Sequence, residues 1–332
     1  MKSVKHIICY SGGHSSALVA IEVVRRFGKE NVILLNHNIN PRYEDKDIKR
    51  FKKEVADYLN LGITYANVKD IQNPEELPNQ FEVCEEKGTF VNPANRQILC
   101  TYVLKTEPFY NYLNSINKEN VCAYYGFDED ELQRVDRRKN ILNEDNVGTD
   151  FPLALWSKDL IKNYNNYKLN ELFKVFKKAN NKYEVETLDT FIKDQSEFIK
   201  NAIKNNLLEI SEYDDTKERS ILATTEIGID PPLTYDIWKH ANCKGCLKAG
   251  QQHWYVVYCN DYEIFERGKL SEERIGHSFG KEFLKDIEPK FAEMKKIGIP
   301  ANENIKSGVF WKSAKHYLKQ STKDLFPCEC FV

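Results

Sequence analysis

Four groups of residues have types and spacings that can do chemistry. The first is Ser11-Gly12-Gly13-His14-Ser15-Ser16, which interrupts the apolar Ile7-Ile8-Cys9-Tyr10 and runs into Ala17-Leu18-Val19-Ala20. Glycines let backbone approach a ligand with no Cβ in the way, and a helix starting just after them presents N–H groups without intrahelical acceptors. This stretch predicts a strand, a phosphate or pyrophosphate cradle and a helix, with the serines as candidate caps. A glycine-containing strand-helix turn without a ligand is the alternative.

The second group is Arg96, Cys100, Thr101 and Lys105. Arg can grip a phosphate with two parallel bonds and Lys acts as a point charge; the alternative is a solvated basic face. The third is Asp128-Glu129-Asp130-Glu131, followed by Arg134, Arg137 and Arg138 on one helical face. It can hold a metal-bound polyphosphate, or form an acidic first turn with internal ion pairs. His37, in a polar Asn36-His37-Asn38 at a predicted strand end, is a candidate nucleotide contact.

The fourth group is thiols. In Cys243-Lys244-Gly245-Cys246 the glycine permits a turn sharp enough to aim two thiolates at one metal or cluster, or to make a redox pair. Further ligands would come from Cys100, Cys328, Cys330 or His240, with Cys84 and Cys259 as additional candidates. Cys100, Cys243, Cys246 and Cys328 then suit a [4Fe-4S] cluster; Cys-x-x-Cys with another Cys and a His suits structural Zn2+. Cys9 and Cys122 read as thiols buried in strands. Near the end of the sequence, Cys328-Glu329-Cys330 can present Cys330 as a nucleophilic thiolate on a mobile tail.

Elements that must position these groups follow from periodicity. Residues 15–27 read as a helix stopped by Gly28, 31–35 as a buried strand, and 44–59 as an amphipathic helix on Ile48, Phe51, Val55 and Leu59. Strands are expected at 63–68, 121–125 and 151–156. Strands alternating with helices predict an α/β fold, a doubly wound and mostly parallel sheet. Residues 1–157 form the nucleotide-binding domain in this reading. Residues 158–223 form a Lys/Asn/Glu-rich helical insertion with apolar repeats at Leu169, Leu172, Phe173 and Phe176 and at Phe191, Phe198, Ile199 and Ile203. Residues 224–332 form a Cys-containing region that completes the site.

The 332 residues are 41% hydrophobic and 30% charged, enough for a large core. A net charge of -2 gives no overall attraction to nucleic acid, which would need a local basic patch. No apolar run approaches a membrane span and none near Met1 suits a signal peptide, so a cytoplasmic protein without membrane contact is expected. Nine cysteines without such a signal argue against a disulfide framework.

Several stretches resemble one known family. The loop at Ser11 to Ser16 is similar to the Ser-Gly-Gly-x-Asp-Ser loop of PP-loop ATP pyrophosphatases and the related phosphoadenylyl-sulfate (PAPS) reductases, with Ser15 where Asp is usual. Arg96, Cys100, Thr101, Leu104 and Lys105 resemble their Arg-x-Cys-Thr-x-x-Leu-Lys pattern with a longer first spacing. Tyr125 to Glu131, the Arg134-Arg137-Arg138 set, and the order of Cys-x-x-Cys, His253-Trp254 and Ile275-Gly276-His277-Ser278 also resemble PAPS reductase-like proteins. Glu329-Cys330 is similar to the Glu-Cys-Gly end of sulfonucleotide reductases, with Phe331 in place of Gly. The likeness spans roughly residues 4–156 and 224–290.

The resemblance implies a Rossmann-like adenine nucleotide alpha-hydrolase fold binding ATP or PAPS, with Mg2+. Ser11, Gly12, Gly13, His14, Ser15, Ser16, His37, Arg137 and Arg138 would contact the nucleotide, while Lys105 and Cys330 would be catalytic. The leading expectation is adenylation of a substrate with release of pyrophosphate, coupled to sulfur transfer, because the likeness extends to DNA-phosphorothioation enzymes. Nucleic acid is then one candidate acceptor. The alternatives are a PAPS reductase using Cys330 and a non-catalytic nucleotide sensor. Self-association into a homo-oligomer is compatible with either.

Overall fold

A computed structural model of the chain describes residues 4–94, 96–116, 120–179, 217–241 and 243–324. Apolar runs of four or five residues, too short for helices and buried on both sides, become parallel strands. These are β1 (Lys5–Cys9), β2 (Val32–Asn36), β3 (Ile63–Tyr65), β4 (Val121–Tyr124) and β5 (Gly148–Asp150). They form one all-parallel sheet in the order β3-β2-β1-β4-β5, with Ile8 opposite Leu34 on one side and Tyr124 on the other. The order reverses between β1 and β4. Ligands of open α/β sheets sit in the crevice outside such a reversal, which here is the stretch after Cys9.

Helices cover both faces. α1 (His14–Phe27) and α2 (Lys46–Tyr58) enclose a core of Ile8, Val19, Leu34, Phe51 and Val55. Asp45 caps α2, its carboxylate accepting the Asp47 N–H at 2.9 Å. The other face is covered from among the helices that follow, α3 (Gln80–Lys87), the short α4 (Leu99–Thr101), α5 (Glu107–Ser115) and α6 (Leu132–Glu144). Of these, α5 and α6 pack on the sheet through Phe109, Leu113, Val135 and Leu142. The sheet is therefore doubly wound, as the alternation of patterns predicted.

The predicted strand at 151–156 is not a strand. β5 lies just before it, and Pro152–Leu155 is a one-turn helix, α7. Proline at the first helical position accounts for this: its fixed φ suits a helix start and it has no N–H for a ladder. Asp150 completes the stop, accepting the Phe151 N–H at 2.8 Å and the Trp156 indole N–H at 3.0 Å.

α8 (Lys158–Ala179) opens the predicted insertion, carries Leu169, Leu172 and Phe173, and buries Tyr164 against the sheet. The repeat at Phe191, Phe198, Ile199 and Ile203 lies outside the described residues, as do Cys328 and Cys330. A third core forms from α9 (Gln251–Asn260), α10 (Tyr262–Ile275), α11 (Leu284–Lys296) and α12 (Ser307–Asp324) around Trp254, Phe265, Phe291 and Met294. α3 belongs to this core through Phe81 and Cys84, so the first part of the chain contributes a helix to the last. Among the described residues no helix is long and apolar enough to cross a membrane.

The chain returns to the sheet after residue 216 by a polar anchor. Glu22, fully buried on α1, accepts the Ser220 N–H (2.5 Å), the Ser220 hydroxyl (2.8 Å) and the Ile221 N–H (3.0 Å), and pairs with Arg25. Removing the acceptor leaves those donors without a partner. Glu22→Ala is expected to lower unfolding free energy by about 3 kcal/mol in denaturant titration, and Glu22→Gln by less. A loss under about 0.5 kcal/mol for Glu22→Ala would show that the anchor does not hold the segment.

Candidate functional site

The loop after β1 is built by close backbone approach from two sides. Gly12 sits at φ +84°, where a side chain is strained, and a Cβ there would stand 3.0 Å from Cδ of Lys52. Gly126, following β4, presses on the start of α1; a Cβ there would stand 2.9 Å from Ser15 C and Ser16 N. Backbone contact excludes a Cβ at Gly126, and the positive φ disfavours one at Gly12. The serines do not cap α1, whose N-cap is Gly13 with no side-chain acceptor. Instead the Ser16 hydroxyl donates to the Gly13 carbonyl at 2.8 Å and the Ser11 hydroxyl donates to Ser16 Oγ at 3.2 Å, because Ser16 lies one turn inside the helix. His14 donates its N–H to the Tyr235 hydroxyl at 3.0 Å and accepts the Thr224 N–H on Nε2 at 3.3 Å. The C-terminal part of the chain thus reaches over the loop.

Cations converge beside it. Lys52, 2% exposed on α2, donates to Glu44 Oε1 at 3.1 Å and Asn36 Oδ1 at 3.4 Å. Burial lowers its pKa and Glu44 opposes the shift. Lys105 lies on a single π-helical turn, Tyr102–Thr106, between α4 and α5, an irregularity frequent at functional sites. Its charge acts on His37, Lys52, Cys100, Cys243 and Cys246. Lys248 joins this set through Cys100, Cys246 and Arg134. The Nδ1–H of His37 donates to the Ala66 carbonyl at 2.6 Å, which leaves Nε2 as an acceptor in the neutral ring. An open cavity of about 440 Å³ flanks the ends of β2 and β3, lined in part by Asn38, Lys49, Lys52 and Tyr65.

The acidic-arginine group is dispersed. The Asp128 carboxylate accepts the Asp130 N–H at 3.1 Å, Glu129 accepts from Asn163 at 3.4 Å, and Glu131 pairs with Arg134. Arg134 also lies 4.1 Å over the Phe127 ring and Arg138 5.3 Å over Tyr125. Arg137 is exposed on α6, and the arginine that the structure places near Lys248 is Arg134. Arg96 has φ +54° in a turn and is exposed.

The thiols are better gathered. Cys100, Cys243 and Cys246 lie close enough to alter one another's titration. Burial raises Cys243 to about 11 and raises Cys246. The Cys-x-x-Cys turn is held from two sides. Gln80, on α3, donates to the Lys244 carbonyl at 2.7 Å and the Gly245 carbonyl at 3.2 Å. His253, on α9, accepts the Cys246 N–H on Nε2 at 3.1 Å and bonds Glu303 through Nδ1. Cys9 and Cys122 lie in strands as predicted but are half-buried rather than fully buried, and desolvation raises them to about 11 and about 12. Three thiols beside two lysines have the chemistry of a thiolate-held centre. Among the described residues, however, no three His, Cys, Asp or Glu side chains stand where they could together hold a metal ion.

No family model, curated protein or solved structure matches the chain. Several site residues escaped the sequence reading: Lys52, Glu44, Asn36, Tyr235 and Lys248. Lys52 had a signal, because it occupies position i+4 from Ile48 on the apolar face of α2, where a charge is out of place. Asn36 stood in the polar strand end singled out with His37, and Glu44, Tyr235 and Lys248 had no signal.

His6, His14 and His37 share one electrostatic feature: burial disfavours their charged form and lowers each pKa from 6.5. Below about pH 6.5 the unfolded chain binds protons that the folded one does not, so stability rises with pH in that window and is lost as pH falls through it. The melting temperature is expected to drop between pH 7.5 and 5.5, with a shallower dependence in the His14→Gln/His37→Gln double variant. An identical slope in the variant would remove both histidines from the account.

Proposed function

We propose that the chain is an ATP-binding enzyme of the PP-loop, PAPS reductase-like kind, with an adenine nucleotide alpha-hydrolase fold, and that it adenylates a substrate. One observation carries this reading. A glycine loop leading into a helix N-terminus lies at the reversal of a doubly wound sheet, with Lys52 beneath it and Lys105 nearby. Three further features support it: His37 with a free Nε2, the cavity by β2 and β3, and the Tyr235 hydroxyl over the loop.

In this mechanism the triphosphate lies against the loop and the first turn of α1. An acceptor oxygen attacks the α-phosphorus, the bond to the bridging oxygen of the β-phosphate breaks, and pyrophosphate leaves with the electron pair. Lys105 offsets the charge growing on the phosphates, and Lys52 holds the loop in place. Catalysis is then mainly orientation and electrostatic stabilisation. Mg2+ would travel with the triphosphate, since Asp128, Glu129 and Glu131 are engaged within the protein. Among the described residues Cys100, Cys243 and Cys246 do not stand where they could together hold a metal ion, and no step above passes through a cluster or a zinc ion. Nucleic acid is one acceptor class consistent with sulfur transfer.

The thiols around Lys105 favour a second reading, a sulfonucleotide reductase in which Cys330 attacks the sulfur of PAPS. One assay separates the readings: anaerobic incubation with ATP and Mg2+, or with PAPS and a thiol reductant, following pyrophosphate and sulfite. Pyrophosphate is the expected product, reduced about 100-fold or more in Lys105→Ala. Sulfite alone would establish the reductase, and ATP binding without either product would establish the sensor.

A further inference from the structure

α12 concentrates positive charge on one side. From Lys306 to Lys323 there are five lysines and no acidic residue, in a protein whose net charge is -2. The core side of the helix is fixed by Phe310 and Ala314, both buried, with Leu318 packed against the same core. A turn of 3.6 residues puts positions 312, 316, 319 and 323 along the opposite line and 315 beside it. Lys312 and Lys315 are exposed, as that spacing requires, and so is Lys306 just before the helix. Lys290 joins them from α11: it is exposed, and its ammonium lies 4.6 Å over the ring of Trp311.

The carboxylates of this core are engaged elsewhere. Glu282 accepts from Gln251 at 2.7 Å, Glu288 pairs with Lys269 at 2.6 Å, Glu293 pairs with Lys296 at 3.9 Å, and Glu303 holds His253. Among the described residues no carboxylate forms an ion pair with Lys290, Lys306, Lys312 or Lys315. The row is therefore a local positive field on a protein that is slightly acidic overall, and its complement is a polyanion.

The surroundings of the row select among polyanions. Entering a lipid surface takes an apolar helix face, but α12 spends its own on the core and leaves only Val309 and Tyr317 as large exposed apolar side chains. Unpaired bases need an aromatic platform, yet Lys290 covers Trp311, and Tyr317 lies off the line of position 312. Lysine is a point charge suited to phosphate, and no arginine follows Arg274 to grip a base edge. Positions 312 to 323 span about 16 Å, a length over which a duplex carries about ten phosphate charges.

We propose that α12, with Lys290, docks on the phosphate backbone of a nucleic-acid duplex without reading its sequence. The lysine ammonium groups replace cations condensed on the phosphates, and release of those cations drives the association. This surface suits the nucleic-acid acceptor considered above, but it rests on charge and exposure alone and does not depend on the ATP reading.

The test is fluorescence anisotropy of a labelled 20-bp DNA duplex titrated with the full-length protein, without nucleotide, between 50 and 200 mM KCl. The expected slope of log K against log salt is about -3 or steeper, with equal affinity for a duplex of scrambled sequence. Lys312→Glu/Lys315→Glu is expected to weaken binding about 10-fold or more at 50 mM KCl and to make the slope shallower by about 2. Both side chains are exposed, so its melting temperature stays that of the parent. Lys281→Glu/Lys285→Glu makes the same change in net charge at exposed positions away from the row and leaves binding within about twofold. Absence of binding at 50 mM KCl, equal losses in the two double variants, or tighter binding to phosphatidylserine vesicles or to single-stranded oligothymidylate than to the duplex overturns the proposal. ATP binding by the same protein is measured separately: its absence counts against the nucleotide reading and leaves the duplex result standing.

Discussion

A lysine ammonium held under a glycine loop is the constraint on which the site depends. Taking Lys52 out of water is unfavourable by several kcal/mol, and that is tolerable only with a paired carboxylate and further acceptors in place. Glu44 and Asn36 provide them, and Asn36 in turn donates to the Tyr10 carbonyl at 2.5 Å while the Tyr10 hydroxyl donates to the Lys52 carbonyl at 2.9 Å. The end of β1, the end of β2 and the middle of α2 are thereby fixed to one another by polar groups. Gly12 lies against this side chain, and its φ of +84° strains any residue that carries a Cβ.

The second organising feature is α3. It comes early in the chain yet packs with α9 to α12, and its polar face grips the Cys-x-x-Cys turn through Gln80. The thiols and the glycine loop are brought together by this exchange. Tyr235 and Thr224 reinforce it from the other direction by bonding His14. The charge of Lys105 therefore acts on Cys100, Cys243 and Cys246 at once.

Much of the fold was legible because its signals are local. Continuous apolar runs marked β1, β2 and β4, and the spacing of Ile48, Phe51 and Val55 marked α2. The Gly12-Gly13 pair marked the loop. β5, three residues with no apolar run, was not legible, and Pro152 turned the predicted strand beside it into a helix. The partition of polar groups was equally illegible: the same acids and arginines suit an anion site or a capped helix. Only the positions of Phe127, Tyr125 and Asn163 direct them to the second.

What the sequence alone determined is what depends on neighbours in the chain: the alternation of strands and helices, the parallel sheet and the glycine turn at its centre. Tertiary structure decided which charges face that turn. Lys52, Lys105 and Lys248 are separated by 53 and 143 positions in the chain, and their convergence arises from strand order, a π-turn and the docking of α3. Periodicity reports which side of an element is buried, but it carries no information about which element will lie opposite.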